Sequence, residues 1–181
     1  MKSILLTSLP IVTLVEAKEY FRIFDDDEDN TIKLSIDTAI EIAEQVTNRT
    51  LSLSTFSLTK NDFNSIVLKK NPFVSITKIE YTNDLGDVVP YLDFEYETDD
   101  YFDICTLRFN STPLDYISGA EVKIEYEAGY SPTPAPIKSF VLAHAATMFE
   151  NREMLVVGTI VSSTPKQFYF SLLNSYRIIP V

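Results

Sequence analysis

The sequence predicts an α+β fold, a helical bundle with an antiparallel β part inserted into it. Three observations carry this. Apolar residues recur at helical spacing from Leu14 to Val46. The period falls to two between Thr50 and Tyr130, and helical spacing returns after Pro136. Residues 1–181 are expected to form a single compact unit, with helical parts over 12–50 and 134–181 and the β insertion over 51–130. The chain shows no internal repeat and no low-complexity linker.

Each element has a local cause. Met1-Lys2-Ser3-Ile4-Leu5-Leu6 has the look of a secretory start, but Thr7, Ser8 and Pro10 break the apolar run and no small-x-small cleavage site follows. Thr13-Leu14-Val15-Glu16 is a capping box, which predicts a helix over Leu14–Phe21. The acidic stretch Asp25–Asn30 then complements the dipole of a second helix, whose stripe is Ile32, Ile36, Ala39, Ile40, Ala43 and Val46. Alternation predicts strands over 51–58, 65–69, 74–81, 88–97, 104–109 and 120–128. Asn83-Asp84-Leu85-Gly86-Asp87 reads as a hairpin turn. A third helix follows Pro136 with Ile137, Phe140, Val141, Ala145, Met148 and Phe149 inward. Thr164-Pro165-Lys166-Gln167 starts a last one, striped by Phe168, Leu172, Leu173 and Tyr176.

Composition narrows the function. Hydrophobic residues are 45% and charged residues 23%, so a core can form without staples. The net charge is −11 and no basic patch is visible beyond Lys60 and Lys69-Lys70. Duplex DNA as a tightly held partner is thereby disfavoured, whereas an acidic conduit would let DNA pass without sticking. No apolar run spans a membrane. The sequons Asn48-Arg49-Thr50 and Asn110-Ser111-Thr112 carry meaning only on a secretory route.

Residues able to carry chemistry are few. Asp25, Asp27 and Asp29 sit at calcium-loop positions one, three and five, but Asn30 and Ile36 stand where such a loop needs Gly and a bidentate Glu. His144 is the only histidine, mid-helix among alanines, where packing is its expected role. Cys105 is the only cysteine and lies in the alternating run Cys105-Leu107-Phe109, as a small hydrophobe would. Four isolated glycines exclude a phosphate loop. Glu121, Lys123, Glu125 and Glu127 share one strand face, a solvated face before it is an acid/base pair. Tyr91, Phe94, Tyr96, Tyr101 and Phe102 lie among carboxylates, and suit either a protein contact or a core. No catalytic residue, metal site or cofactor is expected.

The order of local signals resembles the tailed-phage head–tail connector, or adaptor, proteins. The likeness covers most of the chain. It opens with Thr13-Leu14-Val15-Glu16-Ala17-Lys18, Phe21-Arg22, the Asp-rich loop and Val46-Thr47-Asn48-Arg49. It continues through Asn71-Pro72-Phe73-Val74-Ser75-Ile76, Tyr81 and the Asp84–Gly86 turn. It ends with Ala128-Gly129-Tyr130, Glu150-Asn151-Arg152-Glu153 and Leu172-Leu173-Asn174-Ser175-Tyr176-Arg177. Phe73 departs from the Val common in the family after that Pro, and Tyr116 and Tyr126 stand near the insertion's end, with no Trp.

The resemblance implies a structural adaptor in the virion neck, assembled in the host cytoplasm. It implies a homo-oligomeric ring, dodecameric, that sits under the portal protein, extends the DNA channel and receives a stopper or tail protein. DNA would pass without specific binding, and no membrane is involved. The apolar terminus gives candidate portal-binding residues, Arg177, Ile178, Ile179, Pro180 and Val181. The β-branched run containing Met154, Leu155, Val156, Val157, Ile160 and Val161 is a candidate contact with another subunit or neck partner, with no role carried over from the family. The alternatives are another virion part, a tail-completion or baseplate protein, and a metal-dependent hydrolase built on the acidic loop.

Overall fold

The computed structural model describes residues 3–99, 103–151 and 170–178. The elements are β1 (Ile4–Ser8), α1 (Leu14–Phe21), α2 (Asp29–Thr47), β2 (Ser54–Lys60), β3 (Ile66–Leu68), β4 (Phe73–Thr82), β5 (Val88–Pro90), β6 (Phe94–Asp99), β7 (Ile104–Phe109), β8 (Val122–Ala128) and α3 (Ala135–Glu150). A 3-10 turn, Asn174–Tyr176, lies two residues before the end of the described chain. The fold is α+β, with antiparallel sheets inserted among helices. Contacts divide the chain into a β unit, Met1–Leu9 with Ser52–Ser131, and a helical unit, Pro10–Leu51 with Pro132–Val181.

The β unit holds a five-stranded sheet in the order β1-β2-β8-β4-β5 and a three-stranded sheet in the order β3-β7-β6. Strand β8 is central. Its alternation is strict: Val122, Ile124, Tyr126 and Ala128 are buried, and Lys123, Glu125 and Glu127 are half-exposed. The register sets Phe56 and Leu58 of β2 opposite Tyr126 and Ile124, and Ile79 of β4 on the other side of Ile124. These side chains form one core with Leu68, Cys105 and Leu107. Fully burying a side chain of this size contributes roughly 1.5–3 kcal/mol, so the alternating face dominates the stability of the unit.

Two departures from the sequence-based expectation have clear causes. The strand expected over 88–97 is two strands in different sheets. Pro90 can donate no hydrogen bond, and after it Tyr91 turns inward, its N–H bound to the Ile79 carbonyl at 2.8 Å and its side chain buried. The first residues, read as a weak secretory start, form edge strand β1, antiparallel to β2 with an irregularity between Leu5 and Thr7. All five residues of β1 are exposed, so no alternation marks it in the sequence.

In the helical unit, α1 carries the capping box that its sequence predicts, with both reciprocal hydrogen bonds present. Helix α2 packs along α3, and α1 contacts both. The buried face of α2 is Ile32, Ser35, Ile36, Ala39, Ala43 and Thr47. Ile40 and Val46, expected inside, are half-buried. Ser35 and Thr47 are tolerated inside because their hydroxyls donate to the Thr31 and Ala43 carbonyls, at 2.9 and 2.8 Å. Leu51, expected to open a strand, belongs to this unit and is fully buried, its N–H on Glu44 Oε1 at 2.8 Å. Pro134 caps α3, which buries Ile137, Phe140, Val141, Ala143 and Ala145.

Gly129 ends β8 at φ +121°, a region that L side chains rarely adopt. A Cβ there would lie 2.1 Å from the Ser52 carbonyl oxygen, which belongs to backbone and cannot swing away. We expect Gly129→Ala to abolish folding or cost more than about 4 kcal/mol in urea unfolding. Gly86→Ala, at φ +85° with open space around it, should cost only about 1–2 kcal/mol of conformational strain.

Candidate functional site

The C-terminal candidates divide at Ile178. Phe170 packs against Phe140 and His144, with ring centroids 5.5 and 6.2 Å apart, and Leu173 is fully buried. Beyond them the chain is fastened to the end of α2. The Ile178 N–H donates to the Thr47 carbonyl at 2.9 Å, and the Ile178 carbonyl accepts from Asn48 Nδ2 at 2.9 Å. Arg49 Nε donates to the Tyr176 carbonyl at 2.7 Å. Asn48 can do this because it occupies the left-handed cap position after α2, at φ 54°, which aims its side chain off the helix end. Arg177 is exposed and Ile178 half-buried. Ile179, Pro180 and Val181 lie outside the described residues, as do Met154, Leu155, Val156, Val157, Ile160 and Val161. The last helical pattern, from Thr164, falls mostly outside them too.

The acidic loop is organised by a lysine. Lys18 Nζ bridges Asp26 Oδ1 at 2.6 Å and Asp29 Oδ1 at 2.8 Å. Those hydrogen bonds raise the Lys18 pKa and lower that of Asp26. Among the described residues, no three His, Cys, Asp or Glu side chains converge as metal ligands would. His144 stacks on Phe140, rings 5.3 Å apart and 10° from parallel. Burial pushes the Cys105 thiol up to about 11, which leaves it protonated and a poor nucleophile at neutral pH.

The aromatics resolve into core and surface. Phe63 is a hub, with ring centroids 4.9 Å from Tyr91, 4.8 Å from Tyr116, 5.1 Å from Phe109 and 5.8 Å from Tyr81. Phe94 is packed against the same core, whereas Tyr96 is exposed at the free edge of the three-stranded sheet, its ring 5.3 Å from Phe73. Tyr101 and Phe102 lie outside the described residues. Sequence reasoning did not find the Asn48–Ile178 and Arg49–Tyr176 contacts. Their partners lie about 130 residues apart, and neither residue type is distinctive.

No protein-family model and no curated protein matches the chain. Solved structures match its fold. A chain from the neck of the empty GTA particle, computed with C6 symmetry, aligns with a TM-score of 0.73 and 19% identity over 100% of this chain and 97% of that chain. A chain from the virion of the native gene transfer agent particle aligns at TM-score 0.71 and 20% identity with the same coverage. One from the neck of the native GTA particle, computed with C12 symmetry, gives 0.69 and 20%, again with 100% and 97% covered. At such identity the likeness is one of fold, and it runs the full length of the chain. Among the described residues, no helix is long and apolar enough to cross a membrane.

Within the helical unit, Glu16 ties α1 to α3 through Lys138 at 2.5 Å. The Lys138 hydrogen bond, then the Thr13 backbone bond, lowers the Glu16 pKa from 4.5 to about 2. A depressed carboxylate stabilises above its unfolded pKa and loses that contribution as pH falls through the folded value. Both side chains are more than a third exposed, so the pair is worth at most about 1 kcal/mol. We expect Glu16→Gln, which keeps a capping side chain, to lower Tm by about 1–4 °C at pH 7. In calorimetry the difference should close as pH drops from about 4.5 towards 2.

Proposed function

We propose that this chain is a structural adaptor of a tailed-phage-type virion neck. It forms a homo-oligomeric ring, of twelve subunits by analogy with the C12 neck, beneath the portal. The ring extends the DNA channel and receives a stopper or tail protein. The observation that carries the reading is the full-length fold likeness to neck chains, with 97% of those chains covered as well. The connector-like order of sequence signals points the same way. So does the net charge of −11, which suits a conduit that DNA must leave freely. The buried Cys105 and stacked His144 support a structural role over an enzymatic one.

The portal contact is assigned to the chain end. Ile178 is the root, held by Thr47 and Asn48, and Ile179, Pro180 and Val181 are the anchor beyond it, with Arg177 exposed beside them. The run containing Met154, Leu155, Val156, Val157, Ile160 and Val161 is assigned to contacts with a neighbouring subunit or neck protein. Assembly takes place in the host cytoplasm, before the ring becomes part of the particle.

Electron microscopy and mass measurement of the purified chain, alone and with portal protein, test this. Rings are expected at least with portal; monomers in both samples would overturn the reading. A chain ending at Ile178 keeps both hydrogen bonds to α2 and should fold as the full chain does. We expect it to bind portal at least tenfold more weakly, a loss of about 1.4 kcal/mol. Unchanged affinity would move the anchor elsewhere.

A further inference from the structure

The negative charge of this protein is not spread over it. Residues 79–122 hold eleven of the 26 carboxylates and one cation, Arg108; the rest of the chain is nearly balanced, fifteen carboxylates against fourteen cations. Asp99 and Asp103 lie towards the start of β4, where the Phe73 N–H donates to the Asp103 carbonyl, whereas Asp84, Asp87 and Asp115 gather at one end of the β unit. There the β4–β5 turn meets the loop before β8: Asp84 N–H donates to the Asp115 carbonyl at 2.8 Å, and Asn83 bridges to Tyr116. Tyr81 O–H donates to Asp115 Oδ1 at 2.8 Å and pins the loop from beneath. Tyr91 O–H on the Ser111 carbonyl, at 2.6 Å, fastens its first residues.

This end carries large apolar side chains in water. Leu85 is 81% exposed, Val88 64% and Ile117 54%, and Leu114 is fully exposed. Leu92, 85% exposed, lies beside the Tyr91–Ser111 bond. These positions are held in place. Asn83 Oδ1 accepts from both Leu85 N–H at 3.0 Å and Asp87 N–H at 2.8 Å, and Gly86 takes φ +85°. The turn is therefore preorganised with Leu85 outward, so little conformational entropy remains to be lost on binding. Exposed Asp84 and Asp87 flank Leu85 along the chain, exposed Asp93 follows Leu92, and Asp115 follows Leu114. An apolar centre with a charged rim is the anatomy of a protein–protein contact.

We infer that this end of the β unit is a docking surface for a partner protein presenting apolar side chains ringed by Lys or Arg. Nucleic acid is repelled by the rim. A second copy carries the same net charge of −11, which opposes pairing of two copies through this acidic surface. Among the described cations, Lys18, Lys60, Lys78, Arg108, Lys123 and Lys138 are each paired with carboxylates of their own chain. A basic partner protein complements the acidic rim better than another acidic chain does. The inference rests on the neck reading only for who that partner is, portal or tail-side protein.

The test uses the full chain and two designed peptides, an amphipathic Leu/Lys helix and its Leu/Glu counterpart, followed by methyl NMR. We expect the Leu/Lys peptide to shift the signals of Leu85, Val88, Leu114 and Ile117, and the Leu/Glu peptide to leave them in place. The double variant Leu85→Ser, Leu114→Ser should weaken binding about tenfold with circular dichroism unchanged, since both residues are exposed. Asp84→Asn with Asp87→Asn should weaken it at low salt and matter less at high salt. Unchanged affinity in the Leu→Ser variant, or shifts confined to other surfaces, would overturn the inference. So would a self-association that this variant abolishes, because the surface would then belong between copies. Ring formation is measured separately, so the neck reading and the docking surface can each fail alone.

Discussion

The β unit depends on the pairing of β8 with strands that precede it by some forty to seventy residues. Of the described strands, β8 is the last to leave the ribosome, yet it sits at the centre of the five-stranded sheet, between β2 and β4. Without it, β1-β2 and β4-β5 are two separate hairpin-like pairs, and neither buries a face by itself. Its seven residues bring Tyr126, Ile124 and Val122 into the core at full burial, opposite Phe56, Leu58, Ile79 and Tyr81. Closing those long loops costs entropy before any contact repays it. The unit should therefore form cooperatively, around β8, rather than by adding strands in order.

What the sequence made legible follows the range of the forces involved. The capping box of α1 acts over three residues, and both its partners can be read directly. The alternation of β8 acts over two, and burial on one face stamps it into the residue types. Strand β1 was illegible because it is exposed on both faces and is specified only by pairing to β2. The split of residues 88–97 was illegible because Pro90 permits either an edge strand or a break, and the choice is made by Ile79, across the sheet. Ser35 and Thr47 were missed for a different reason: hydropathy marks them as surface, but their own helix satisfies them. The candidate anchor shows both cases. Its apolar character was plain in Ile178-Ile179-Pro180-Val181, while its seat on Thr47 and Asn48 could not be read from any local pattern.

The two ends singled out, the chain terminus and the β4–β5 turn, share a physical design. Each has a root that is hydrogen-bonded into the fold: Ile178 on Thr47 and Asn48, and Leu85 within the Asn83 turn. An exposed leucine on a floppy loop would lose on ordering much of what it gains on burial. One on a fixed root keeps most of the gain, about 25 cal/mol for each Å² of apolar surface covered.

The fold likeness at 19–20% identity is a statement about how few positions the architecture constrains. A core accepts many apolar sequences of suitable volume, and a solvated strand face accepts almost any polar ones. What resists change is backbone geometry that a side chain would block. Gly129 is such a place, because its Cβ would strike the Ser52 backbone, whose neighbourhood is itself fixed by the Ser52–Tyr130 bridge. The turn at Asn83–Asp87 is different. It needs a residue able to take positive φ and an acceptor side chain, and it leaves the outward residues free. A scaffold held by a few blocked positions can keep its shape while its exposed tips are fitted to different partners. Partner choice in such a fold then belongs to residues like Leu85, Leu114 and the carboxylates around them, and not to its core.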